Sequence, residues 1–182
     1  MGLPVPNLPI QALMDYRASG RISLRPIEDG DREFLFRLYA STRAEELAVV
    51  AWTDAQKEAF LRQQFEAQHA YWAEHYAGAT FDLVLVDGAP AGRLYVDRWP
   101  RELRIVDISL APEHRGSGVG TRLLRRVFAE ADAAGKPVSI HVESYNPARR
   151  LYDRLGFAQV GDHGVYLLME RPVGGVPAAA GT

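Results

Sequence analysis

Residues 102–121 read Glu-Leu-Arg-Ile-Val-Asp-Ile-Ser-Leu-Ala-Pro-Glu-His-Arg-Gly-Ser-Gly-Val-Gly-Thr, and no other stretch constrains the fold as tightly. An apolar run with the look of a buried strand ends at Leu110. Pro112 stops it, and a glycine-rich turn from Arg115 to Thr121 runs into a helix. Gly116, Gly118 and Gly120 let the backbone come close to a ligand and aim its amides one way. The helix begins at those amides, and a helix N-terminus offers free N–H groups and partial positive charge, a natural seat for phosphate. Arg115 adds a cation at the mouth. The segment therefore predicts a strand–turn–helix unit that grips a pyrophosphate.

The elements around this unit follow from periodicity. Arg21 to Pro26 alternates as a strand. A helix is expected from about Gly30 to Ser41, with Phe34, Leu35 and Leu38 as its apolar stripe. Thr53 and Gln56 form a capping-box pattern that opens a second helix, continuing to about Tyr76. Its Phe60, Phe65, Tyr71, Trp72 and Tyr76 read mainly as core packing, with one or two left to line a pocket. Phe81 to Val86 and Gly92 to Asp97 read as a hairpin around Asp87-Gly88-Ala89-Pro90. Leu103 to Leu110 follows as a third antiparallel strand, with Val106, Ile108 and Leu110 on one face and Ile105 on the other.

After the glycine turn, Val119, Leu123, Leu124, Val127, Phe128 and Ala131 recur at helical spacing, and Gly135 suits the end of that helix. Val138 to Val142 reads as a strand. Asn146 and Pro147 open a short helix that ends near Gly156. Ala158 to Val160 and Val165 to Met169 close the chain as strands. The order is β-α-α-β-β-β-α-β-α-β-β, an α/β fold in which the strand after the glycine turn lies parallel to the one before it. Residues 1–20 read as an N-terminal extension, with one or two helical turns over Gln11 to Ala18. Residues 21–172 form a single domain, and 173–182, rich in Gly, Pro and Ala, a loose tail.

Bulk properties narrow the function classes. A chain of 182 residues, 47% hydrophobic and 24% charged, suits one globular domain with a real core. A net charge of −2 without a basic block argues against nucleic acid as partner. The chain has no cysteine, which removes disulfides, thiolate metal sites and a cysteine nucleophile, and fits a cytoplasmic location. No apolar run approaches the ~20 residues that span a bilayer, so no membrane partner is expected, and no signal peptide is read at the N-terminus. The five histidines do not fall at metal-ligand spacing, so no metal is expected.

Three nucleotide readings of the turn compete. A P-loop requires Lys-Ser/Thr after its last glycine, and no lysine follows Gly120. A dinucleotide fingerprint requires Gly-x-Gly-x-x-Gly after a first parallel strand, whereas Gly116-x-Gly118-x-Gly120 follows strands that read as antiparallel. The third reading is reached through a family. Arg115-x-x-Gly118-x-Gly120 behind a strand ending Leu110-Ala111-Pro112 resembles motif A of the GCN5-related N-acetyltransferases. Asn146-Pro147-Ala148-Arg149-Arg150-Leu151-Tyr152-Asp153-Arg154-Leu155-Gly156-Phe157 resembles their motif B. The resemblance covers residues 21–171 in element order.

The resemblance implies a mixed, mostly antiparallel sheet flanked by helices and split at residues 110 and 142. It implies acetyl-coenzyme A as cosubstrate, with its pyrophosphate on the amides of Arg115, Gly116, Ser117, Gly118, Val119, Gly120 and Thr121. Its pantetheine arm would lie along Ile108 and Leu110, with a contact from Asn146. The Leu110 amide would donate to the thioester carbonyl, where charge develops. Tyr152 corresponds to the family tyrosine at the sulfur, a general acid for the leaving thiolate. Asp107, a carboxylate in mid-strand, is either the general base or an arginine's partner. Glu143 is a second candidate base, and His141 could contribute.

The segment Ser41 to Trp52 is expected to help recognise the acceptor. Its Glu45 and Glu46 suit a cationic amine, and Arg43 a carboxylate. The leading function is direct acetyl transfer to a primary amine of a small molecule or peptide. The alternative is a non-catalytic acyl-coenzyme A-binding or sensing module on the same fold. A homodimer stays open.

Overall fold

The computed structural model describes residues 20–175, so the expected helical turns over Gln11 to Ala18 lie outside the described residues. Seven strands form one sheet in the order β1-β2-β3-β4-β5-β7-β6. They are β1 (Ile22–Pro26), β2 (Thr80–Val86), β3 (Ala89–Arg98), β4 (Leu103–Leu110), β5 (Val138–Glu143), β6 (Ala158–His163) and β7 (Tyr166–Arg171). Four helices accompany them: α1 (Arg32–Ala48), α2 (Asp54–His75), α3 (Val119–Ala133) and α4 (Arg149–Arg154). The order along the chain is the one that periodicity predicts. All pairings are antiparallel except β4 with β5.

Local chemistry accounts for most boundaries. Thr53 and Gln56 close a reciprocal capping box at the start of α2. Asp87 and Gly88 both take positive φ, 52° and 84°, forming the two-residue turn that joins β2 to β3. At the end of α3, Lys136 N–H bonds the Ala131 carbonyl and Gly135 N–H the Asp132 carbonyl, a Schellman cap with Gly135 at φ 65°.

Two layers of core lie on opposite faces of the sheet. On one face, Val119, Leu123, Leu124, Val127, Phe128 and Ala131 of α3 pack with Leu94, Ile105, Val138 and Met169. Burial of each large aliphatic side chain there contributes about 1.5–3 kcal/mol. On the other face, Leu35, Phe36 and Tyr39 of α1 close over Phe65 of α2 and Leu83 of β2. Only the β1–β4 half of the sheet is covered in this way, which leaves a cleft beside α2 over β4 and β5.

The structure corrects several expectations. The first helix does not stop near Ser41 but runs to Ala48, because Ser41 and Thr42 satisfy their hydroxyls on the Leu38 and Tyr39 carbonyls and leave the helical turn intact. Ile105 shares its face with Ile108 and Leu110 rather than opposing them. The cause is a bulge: Tyr95 of β3 pairs with Asp107 and Val96 with Ile105, so Val106 is the extra residue. The last helix begins at Arg149, three residues beyond Asn146, whose Oδ1 accepts from the Ala148 amide in a preceding turn. Val173 to Gly175 form a turn tied to α3, with Gly174 N–H donating to Asp132.

Candidate functional site

The sheet splits where the parallel pair fails. β4 and β5 pair only over Leu103–Val138, Arg104–Ser139 and Ile105–Ile140, although β4 continues to Leu110 and β5 to Glu143. The split thus begins at residues 105 and 140, earlier than the expected 110 and 142, and its start coincides with the Val106 bulge. Beyond it, β4 has an open edge. The Ala111 amide bonds the Ala91 carbonyl of β3 at 2.9 Å. Successive amides of an extended strand point to opposite edges, so those of Leu110 and Ile108 face the split. Gly92 permits this close strand pairing, since a Cβ there would overlap the Ser109 carbonyl oxygen.

The turn at the wide end of the split has the geometry its glycines predict. Gly116 and Gly118 take φ of 68° and 85°, and nothing lies within 4 Å of where either Cβ would stand. Gly118 is the left-handed N-cap of α3, and the helix starts at Val119. The Ser117 hydroxyl donates to the His114 carbonyl, tightening the turn. Arg115 has a role the sequence does not reveal: its guanidinium donates to the Leu110 carbonyl at 2.9 Å and to the Ser41 hydroxyl at 2.8 Å. It braces the tip of β4 against α1.

A cleft of about 570 Å³ opens from the split toward α1 and α2. Ile108, Asp107, Glu143, Asn146 and Tyr152 all line it. Tyr152 on α4 is only 5% exposed and packs against Phe157. Burial first, then the charge of Asp107, pushes its phenol above the ordinary 10, so it stays protonated at neutral pH. Asp107 is an arginine's partner, the second of its two sequence readings. Its Oδ2 accepts from Arg93 Nε at 2.7 Å and from the Ser109 hydroxyl at 2.9 Å, yet its side chain keeps 22% exposure in the cleft. Glu143 is paired with Arg43 at 3.1 Å.

His141 lines the cleft with its Nδ1 as an acceptor. Arg104, which can only donate, reaches its Nδ1 at 2.9 Å, so a neutral imidazole must carry its proton on Nε2. Burial, Arg104 and His163 all hold its pKa below the ordinary value. A neutral ring with Nδ1 already engaged has no lone pair to offer as a base.

The aromatic stripe of α2 divides by position. Phe65 is core, while Tyr71, Trp72 and Tyr76 line the cleft. Arg93 and Arg104, both buried, also line it and were not singled out by sequence. The available signal was an arginine at an inward position of an otherwise apolar strand. His163 and Tyr166, near the β6–β7 turn, complete the wall. Among the described residues no cluster of His, Asp or Glu suits a metal ion, and no helix is long and apolar enough to cross a membrane.

The chain belongs to the acetyltransferase (GNAT) family, whose sequence model matches residues 38–157. Streptothricin acetyltransferase of Streptomyces lavendulae is 36% identical over 111 residues, which is 51% of this chain and 58% of that protein. The matched segment thus spans little more than half of that relative. Among solved structures, the PaiA N-acetyltransferase of Thermoplasma acidophilum in complex with coenzyme A is similar with a TM-score of 0.63 at 17% identity. That likeness covers 82% of this chain and 98% of the other. An acetyltransferase of Thermus thermophilus gives a TM-score of 0.57 at 21% identity, covering 82% and 94%. These structural likenesses establish the shared fold.

Proposed function

We propose that this protein transfers an acetyl group from acetyl-coenzyme A directly to a primary amine. The observation that carries the reading is the split itself: Ile108, a buried protonated tyrosine and a clamped aspartate line one cleft, and the Ile108 and Leu110 amides face the same open edge. The Arg115 amide already donates to the Pro112 carbonyl, so it drops out of the expected set; the rest of the glycine turn suits the pyrophosphate, and the Ile108 and Leu110 amides suit the pantetheine arm and thioester oxygen. Asn146 spends its Oδ1 on the turn, which leaves its amide N–H groups for the pantetheine.

In this reading Asp107 takes a proton from the acceptor's ammonium. The freed nitrogen attacks the thioester carbon, and the Leu110 amide stabilises the oxygen as charge builds. A C–N bond forms and the C–S bond breaks. Tyr152 donates to the sulfur meanwhile; the thiolate leaves with a proton drawn through that hydroxyl, which water replaces. The new amide loses its second proton to solvent, so each turnover releases one proton net.

The acceptor is an amine of small-molecule or peptide size. Streptothricin heads the candidates because the relative from Streptomyces lavendulae bears that name. Millimolar acetyl-coenzyme A should raise the melting temperature by several degrees, since a ligand at one hundred times its Kd stabilises by about 2.7 kcal/mol. Amines including streptothricin can be screened by release of free coenzyme thiol. The absence of cysteine removes any thiol background from the protein. No thermal shift and no thiol release with any amine would overturn the reading.

A further inference from the structure

We propose that Arg93 is a positioning residue for the transfer, holding the Asp107 carboxylate in register with the acceptor wall of α2; this rests on Asp107 as the base. Arg93 is 3% exposed, and a buried guanidinium is costly without close partners. Its partners lie on two different walls of the cleft. Nε donates to Asp107 of β4 at 2.7 Å, while Nη2 donates to the side-chain oxygen of Gln68 on α2 at 3.3 Å. The Trp72 ring of α2 covers the guanidinium at 4.9 Å. One side chain from β3 therefore ties the carboxylate to the helix that faces the acceptor.

The strand register explains why the brace exists. Ser109 is the residue opposite Arg93, and Asp107 lies diagonally along β4, two residues away and so on the same face, where it lines the cleft. Arg93 and Ser109 both bond Oδ2, and neither bond uses Oδ1. The carboxylate is thus held from behind by one oxygen and presents the other to an incoming ammonium. An N–H bond of the ammonium breaks as the Oδ1–H bond forms, while Arg93 stays charged and exchanges no proton. A buried ion pair is by itself weak evidence of a stabilising role, because apolar residues of similar volume often serve as well.

The test compares Arg93→Gln, Asp107→Asn and the double variant with the wild type. Arg93→Gln should lower kcat about 100-fold, the scale of an ångström's misplacement, with acetyl-coenzyme A affinity within about twofold. In the Asp107→Asn background it should cost nothing further, because the brace then has no base to hold. Should Arg93→Gln melt far below the wild type, Arg93→Lys carries the test. It keeps the buried cation but cannot serve both partners, and its kcat should fall about tenfold. Wild-type kcat in either single variant, or equal losses with and without Asp107, overturns the inference while leaving acetyl transfer intact. Absence of turnover in the wild type with every amine overturns both.

Discussion

At the wide end of the split, the walls that meet the coenzyme in the proposed reading are main chain: the turn amides, the left-handed Gly118 and the unpaired edge of β4. At the floor, toward α2, the walls are side chains drawn from β3, β4, β5, α1 and α2. There each carboxylate has an arginine, Asp107 with Arg93 and Glu143 with Arg43. The first end presents donors that no titration can remove. The second presents charges whose direction depends on their partners. One end is suited to a constant ligand, the other to a variable acceptor.

The largest effect that would sharpen this contrast is expected from Tyr152→Phe. Loss of a general acid costs about 10²–10⁴ in rate. Calorimetry with coenzyme A should still give near wild-type affinity, because the main-chain end is untouched. Full activity in this variant would remove the acid role, and binding without any wild-type turnover would favour a sensing module. Next comes Gly118→Ala. A left-handed conformation costs a non-glycine residue about 1–2 kcal/mol, so the turn relaxes and the coenzyme must restore it. Coenzyme affinity should fall about tenfold, with acceptor KM unchanged. An equal loss on the acceptor side would mean that the two ends are not independent.

The smallest effect is expected from Arg43→Ala. Its guanidinium bridges Glu46 and Glu143 with partial exposure, a class of pair worth about 0.2–1 kcal/mol. Freeing Glu143 should lower KM for cationic amines by at most about fivefold, and added salt should erase the gain. An unchanged kcat would support Asp107 as the base. A large change in kcat would move that role to Glu143.

Several features were legible because they depend on neighbours in sequence. The buried face of α3, the Thr53–Gln56 box, the Asp87-Gly88 turn and the left-handed glycines each follow from side-chain periodicity or backbone sterics within a few residues. Tyr152 was legible as a candidate only through the resemblance of residues 146–157 to motif B. The Val106 bulge was not, because it is a property of the β3–β4 pairing and leaves no local signature. With it went the face of Ile105 and the true start of the split. Arg93 looked like any strand arginine until β4 and α2 were set beside it.

The sequence by itself determined the order of elements and the phosphate-type turn, since each rests on interactions spanning a turn or two; the candidate acid came from the resemblance to motif B, and the base stayed among several candidates. Only the tertiary structure decided which oxygen of Asp107 is held, that His141 accepts from Arg104 through Nδ1, and that Trp72 and Tyr76 wall a cleft while Phe65 fills a core. Those outcomes depend on contacts between residues far apart in the chain, and the strand register and the packing of α2 alone bring them together.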